Sequence, residues 1–488
     1  MGIWARKNIA DILNEAEGKG EERILHRGLS TFNLFTLGVG GIIGAGIFVL
    51  TGHVAAQYAG PAVVLSFILA GTGCLFAALC YAEFAAMIPI AGSAYTYAYA
   101  TLGELMAWII GWDLLLEYLF AASTVAVGWS GYFGGFLKIF GLEIPARFSS
   151  APYTLDISGH LVATGTVFNL PAVLIVALIT FFLYMGVQLS AFVNNLMVLT
   201  KVVIVIMVIL FGSAFIHLAY WHPFIPENLG GFGQFGWSGV VRGSAVIFFA
   251  YIGFDSVSTA AQEAKTPQRS MPIGILGSLA FCTFLYILMS LVMTGMAHYQ
   301  DLNVAHPVTV AIEQAGPGLA WLNPFVSLGA IAGLATVILV MLLGQARVLF
   351  AMSKDGLLPP FMGLVHRRFK TPYVATLLTG GFAAAIAAIF PIGLLGELVS
   401  IGTLLAFVIV CGSIIVLRYR DPEAHRPFKV PFFPYVPILG ILVCGYMMSS
   451  LPLDTWIRLF VWMGLGLVIY ASYGRFRSRL ARIEAAKG

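Results

Sequence analysis

A lysine stands alone in the middle of an apolar run. Lys201 interrupts "NNLMVLTKVVIVIMVIL" with no charged residue beside it. An ammonium in hydrocarbon costs about 2.5 to 3.5 kcal/mol on insertion scales. Such a residue either keeps permanent bonds to backbone carbonyls or gives up and regains a proton as its surroundings change. Two carboxylates, Asp113 and Glu117, sit four residues apart in "WDLLLEY" and so share one helical face. There they line a wet cavity or tie their helix to a neighbour through hydrogen bonds. Asp255 follows Gly253 in "FFAYIGFDSVSTAAQE", where it either receives a cationic group or caps the helix that restarts. Glu83 reads as a structural or gating carboxylate, and Glu397, with Ser400 and Thr403 on the same side, as cavity-lining or packing. Arg347, Lys354 and Asp355 read as topology and gate contacts.

These residues do not make an enzyme. No HExxH or GxSxG motif occurs, and most of the nine histidines lie at the ends of apolar runs or in loops. No catalytic residue, metal ligand or cofactor is assigned, and the proton is the expected coupling ion. Cys74, Cys80, Cys282, Cys411 and Cys444 form no CxxC pair and read as small packing residues.

The elements that position these groups must lie in a bilayer. Of 488 residues, 59% are hydrophobic and 10% charged, against about 25% charged in a soluble domain. Runs near the roughly 20 apolar residues that cross a bilayer centre near residues 44, 75, 115, 178, 205, 250, 285, 340, 380, 405, 441 and 464. Lipid offers no partners to free N–H and C=O groups, so twelve helices are expected. With both termini cytoplasmic, 20 of the 26 Lys and Arg residues fall on that side, as the positive-inside tendency requires. The net charge of +4 is thus a topological signal, not a sign of nucleic acid. The first 28 residues lack the short apolar core of a cleaved signal peptide, so the first span is expected to be retained. The connections at 138–168 and 217–238 leave no room for a soluble domain. The chain divides into a cytoplasmic segment 1–28, a ten-span core 29–417, two further spans in 418–474 and a basic tail 475–488.

Two spans carry breaks. "GVGGIIGAGIFVLTG", residues 38–52, places Gly40, Gly41, Gly44 and Gly46 within seven positions, although each glycine costs roughly 1 kcal/mol of helix stability relative to alanine. The sixth span breaks at Gly253 and the Ser/Thr/Asp cluster after it. The breaks lie five spans apart, an odd offset that inverts the second unit, as in inverted repeats whose broken helices meet at the bilayer midplane. A dinucleotide loop is excluded by the absence of a preceding strand and of a following GK[ST]. Unwinding at Gly40 to Gly46 frees N–H groups at one half-helix end and carbonyls at the other, with partial charges near +0.5 and −0.5. A carboxylate is drawn to the first. An ammonium is drawn to carbonyls such as those of Ile42, Phe249, Ala250 and Ile252. A ligand with both groups on one carbon, an α-amino acid, satisfies both breaks.

Five stretches, "GVGGIIGAGIFVLTG", "LCYAEFAAMIPIAGSAYTYAYATLGELMAWIIGWDLLLEY", "FFAYIGFDSVSTAAQEAKTPQRSMPIGI", "GQARVLFAMSKDGLLP" and "RPFKVPFFPYVPILGI", resemble the cationic amino acid transporter family of the amino acid, polyamine and organocation superfamily, in a bacterial form. The resemblance runs from Leu29 to Tyr473. It implies an all-α membrane protein of the leucine-transporter type, two five-helix inverted repeats with discontinuous helices 1 and 6 followed by two extra helices, and amino acid transport by alternating access. It also implies that Ile42, Ile43, Gly44, Ala45 and Gly46 hold the carboxylate and amine, and that Phe249 closes over the ligand. By the same resemblance Lys201 takes the place of a sodium ion, Met341 tunes side-chain selectivity, and Glu117 and Asp255 lie near the ligand side chain. Ala45 departs from the Thr or Ser common in that family and leaves the backbone donors to do more of the binding.

The expectation is a proton-coupled importer of α-amino acids in the cell membrane, with Lys201 as proton carrier; one proton moving through 100 mV gains about 2.3 kcal/mol. The alternative is an exchanger of cationic amino acids or polyamines. The amino acid and the lipid bilayer are the expected partners. The sequence assigns no accessory subunit.

Overall fold

The computed structural model describes residue 6 and residues 28–89, 93–155, 161–186, 191–261 and 264–479. Most of the expected amino-terminal segment 1–28 and of the tail beyond residue 479 lies outside them. The main helices are α1 (Thr31–Ile42), α2 (Val63–Met87), α3 (Glu104–Ile139), α4 (Leu170–Tyr184), α5 (Ala191–Gly212) and α6 (Gly236–Ile247). They continue with α7 (Pro267–Met296), α8 (Asn323–Lys354), α9 (Tyr373–Ile389), α10 (Ile392–Arg420), α11 (Tyr435–Ser449) and α12 (Leu453–Ile469).

Starts and ends follow local chemistry. The hydroxyl of Ser30 accepts the N–H of Asn33 at 3.2 Å and opens α1. Asn169 opens α4 by accepting from Ala172 at 3.1 Å while its amide donates to Ser130 of α3 at 2.8 Å. Proline sits in the first turn of α7 and α8, where a missing N–H costs nothing.

Among the described residues, seven helical stretches are long and apolar enough to cross a membrane: Thr31–Met87, Glu104–Ile139, Asn194–Phe215, Pro267–Met296, Ala320–Lys354, Ile392–Arg420 and Leu453–Arg477. The first of these turns at Gly60, whose φ is +60°. Shorter apolar helices lie at Leu170–Tyr184, Tyr373–Ile389 and Tyr435–Ser449. The bundle is built round α3, which packs along α8 and α10, while α7 packs against α1 and α2. One small departure from the all-helical expectation lies in the 138–168 connection: Tyr153–Leu155 and Leu161–Ala163 pair antiparallel, with Tyr153 opposite Ala163.

The Lys/Arg-rich end is tied by buried ions. Glu83, fully buried at the end of α2, accepts from Arg418 at 2.5 and 3.0 Å and from the Val430 N–H at 2.6 Å, with Arg426 Nε 3.4 Å away. At the same end the chain returns after α12. Ser478 donates to Glu104, which also accepts from Tyr99 at 2.9 Å and Tyr470 at 3.0 Å, and the Arg479 N–H donates to the Asp355 carbonyl at 2.9 Å.

Candidate functional site

Both expected breaks are present. α1 stops at Ile42, Ile43 is extended with ψ 98°, and the chain coils again from Ala45, continuing as a wider turn over Gly46–Leu50. The N–H of Gly44 makes no main-chain bond among the described residues, and the first donors of a restarting helix have no partner within it. α6 tightens over Phe248–Tyr251, turns extended at Ile252 with ψ 137°, and recoils at Ser256–Thr259.

Glycine answers for the close approach of these two segments. A Cβ on Gly46 would lie 2.4 Å from the Cα of Ala250, and one on Gly253, whose φ is +120°, would lie 2.5 Å from the carbonyl carbon of Gly41. The breaks therefore meet backbone to backbone. Tyr286 of α7 pins them together: its hydroxyl lies 2.6 Å from the Ile42 carbonyl and 2.9 Å from that of Ala250.

A cleft opens between them. Gly41, Ile42, Gly44, Ala45 and Gly46 form one side, Phe249 and Ile252 the other, and Ala121, Val125, Val337 and Met341 the wall between. Lys201 lies behind α1. Its stem crosses the bare face of Gly333 on α8, and its ammonium donates to Gly40 O at 2.8 Å and Ile43 O at 3.1 Å, which are carbonyls at the edge of the first break. Lys201 is buried.

The sequence-predicted residues divide accordingly. Ile42, Gly44, Ala45, Gly46, Phe249, Ile252 and Met341 line the cleft, while Ile43 turns its carbonyl to Lys201 and Ala250 packs on Gly46. Three of the carbonyls expected to draw an ammonium are already in use: Ile42 and Ala250 face Tyr286, and Phe249 accepts the Ile252 N–H at 3.1 Å. Each keeps a second lone pair.

Glu117 and Asp255 do not reach the cleft. Glu117 precedes Ala121 and Val125 by one and two turns on the same face of α3, so the wall is its neighbour and not itself. Asp255 does not line the cleft; it stands at the N-cap position of the recoiled helix, where its main-chain carbonyl accepts the Ser258 N–H at 2.9 Å and its side chain makes no capping bond. Its carboxylate accepts from the Tyr118 hydroxyl at 2.8 Å and reaches back to the Gly253 N–H at 3.0 Å. Glu397 is also drawn away: it pairs with Arg242 at 2.7 Å and accepts from Thr455 at 2.8 Å. Ser400 donates to the Val246 carbonyl at 3.1 Å. The Asp113 carboxylate has no hydrogen-bond partner among the described residues, so the tie to a neighbouring helix expected of it is not found among them. Tyr286, Ala121, Val125 and Val337 are residues that the sequence alone did not single out.

Residues 29–473 match the family model described as "Amino acid permease". The chain belongs to the amino acid permease family. This permease is 46% identical over 479 residues to the branched-chain amino acid permease BcaP of Bacillus subtilis (strain 168), covering 98% of this chain and 99% of that one. It is 47% identical over 468 residues to the methylthioribose transporter of the same organism, 96% and 98% covered. Human cationic amino acid transporter 4 is 37% identical over 411 residues, 84% of this permease and 62% of the human chain. The relatives are named as permeases and transporters, and this permease is a multi-span membrane transporter, not an enzyme. The resemblance to the amino acid, polyamine and organocation superfamily holds along the same stretch of chain.

Proposed function

We propose that this permease is a proton-coupled importer of α-amino acids with apolar side chains, working by alternating access in the plasma membrane. The observation that carries this reading is the cleft held between two helix breaks. It offers main-chain donors at Gly44 to Gly46 and main-chain acceptors around Ile42 and Ile252, the two polarities of a zwitterion, with only Ala121, Val125, Val337 and Met341 left to meet the side chain. A cationic side chain finds no carboxylate there among the described residues, which weighs against the exchanger of cationic amino acids or polyamines. A neutral sugar lacks the charges that both breaks complement.

The coupling follows from Lys201. A charged ammonium holds the carbonyls of Gly40 and Ile43 and so braces the first break. A neutral amine donates less strongly and lets it relax. The paired breaks five spans apart support a core of two inverted five-span repeats in 29–417, followed by two further spans, twelve in all. The Lys/Arg distribution supports cytoplasmic termini.

Uptake of labelled leucine, arginine and methylthioribose into proteoliposomes tests the reading. Leucine is expected to accumulate only under an inward proton gradient, without sodium, and Lys201→Ala to make transport insensitive to pH. Sodium-driven accumulation without a pH gradient would overturn the coupling, and preference for arginine would overturn the substrate class.

A further inference from the structure

We propose that Asp113 is a second proton-binding site of this permease, loaded in the conformation described here and emptied when the Lys/Arg-rich end opens. The proposal rests on the proton-driven reading above but on different atoms. Asp113 is fully buried and neither carboxylate oxygen has a hydrogen-bond partner among the described residues. It packs against Gly402 of α10, where a Cβ would sit 3.1 Å from Oδ1, so α10 makes room for the carboxyl without serving it.

The groups around it are acidic or neutral. On α3, one turn away, Glu117 is also buried, and its Oε1 has no partner. From α10, the Thr403 hydroxyl lies 2.9 Å from the Val399 carbonyl and is also a hydrogen-bond partner of Glu117, though not of Asp113. From the second break, Asp255 is held by Tyr118 and Gly253, and the Tyr81 phenol lies near Glu117 and Asp255. No lysine or arginine acts on Asp113 or Glu117 among the described residues. Nor do the described residues hold a cluster of three or more acidic, His or Cys groups fit for a metal ion.

An ionised carboxylate so placed has neither counter-ion nor donor, a cost of several kcal/mol. The carboxylic acid avoids it. Position then gives this proton an exit. Asp113 precedes the cleft residue Ala121 by eight residues and follows Glu104, at the Lys/Arg-rich end, by nine; at 1.5 Å per residue both separations are about 12 to 14 Å. It lies midway along that path. Water entering from that end breaks the O–H bond, the proton leaves on water, and the carboxylate keeps the electron pair.

The test is leucine accumulation by wild type and Asp113→Asn in proteoliposomes, with the voltage held at zero and a one-unit pH gradient imposed. One pH unit is worth 1.36 kcal/mol per coupled proton, so the variant is expected to reach a steady-state ratio about tenfold lower. Exchange of labelled for unlabelled leucine reports whether the variant turns over. A ratio equal to wild type overturns the inference alone, whereas a wild type indifferent to the gradient overturns the underlying reading as well. Should the variant fail to fold, dicyclohexylcarbodiimide, which adds to carboxylic acids in apolar surroundings, is applied to wild type. Labelling of Asp113 that fades as pH rises is expected, and no labelling of Asp113 at any pH overturns the site.

Discussion

At the residue scale, the cleft depends on single atoms whose visibility in the sequence differs sharply. Tyr286 serves the Ile42 and Ala250 carbonyls with one hydroxyl, so Tyr286→Phe leaves both without it. A buried acceptor deprived of its donor costs about 1 to 3 kcal/mol. The variant is expected to melt lower in detergent and to bind leucine more weakly, by calorimetry. Unchanged melting and affinity would show the bridge to be idle. Lys201 was legible in the sequence because a charge in hydrocarbon demands a reason. Tyr286 was not, since tyrosine in an apolar helix is ordinary and nothing local reveals which carbonyls it meets. The resemblance placed Glu117 and Asp255 near the ligand side chain; Glu117 lies one turn from the cleft residue Ala121, and Asp255 is held by Tyr118 and Gly253.

At the scale of elements, glycine runs marked where α1 and the segment after α6 break, because no other residue so weakens a helix without the clashes of proline. Which glycine faces which backbone is a tertiary matter. Gly253→Ala places a side chain at φ +120° and 2.5 Å from Gly41, so leucine uptake is expected to vanish with a marked loss of thermal stability. Gly412, inside α10, has nothing within 4 Å of its Cβ position, and Gly412→Ala is expected to keep transport and gain up to about 1 kcal/mol of helix stability. Similar outcomes for the two would mean that the meeting of the breaks matters no more than glycine content.

At the scale of the molecule, the apolar runs read from the sequence all fall on helices or on their two breaks, but the hairpin at Tyr153–Leu155 and Leu161–Ala163 was missed. Short exposed strands in a connection carry no apolar face to announce them. The ion cluster at the Lys/Arg-rich end was half legible: Glu83 stood out, but its partners Arg418 and Arg426 are more than 300 residues away in the chain. Removing one member of a buried ion cluster costs about 3 to 5 kcal/mol. Glu83→Ala should therefore lower the melting temperature well below that of Gly412→Ala, and an unshifted melt would count against the cluster. The return of the chain to Glu104 has a bearing on biosynthesis. A ribosome reaches Tyr470 and Ser478 at 366 and 374 residues after Glu104, yet these two bring two of the three hydroxyls that Glu104 accepts among the described residues. A nascent chain halted before residue 470 leaves the Glu104 carboxylate with Tyr99 alone of these three hydroxyls.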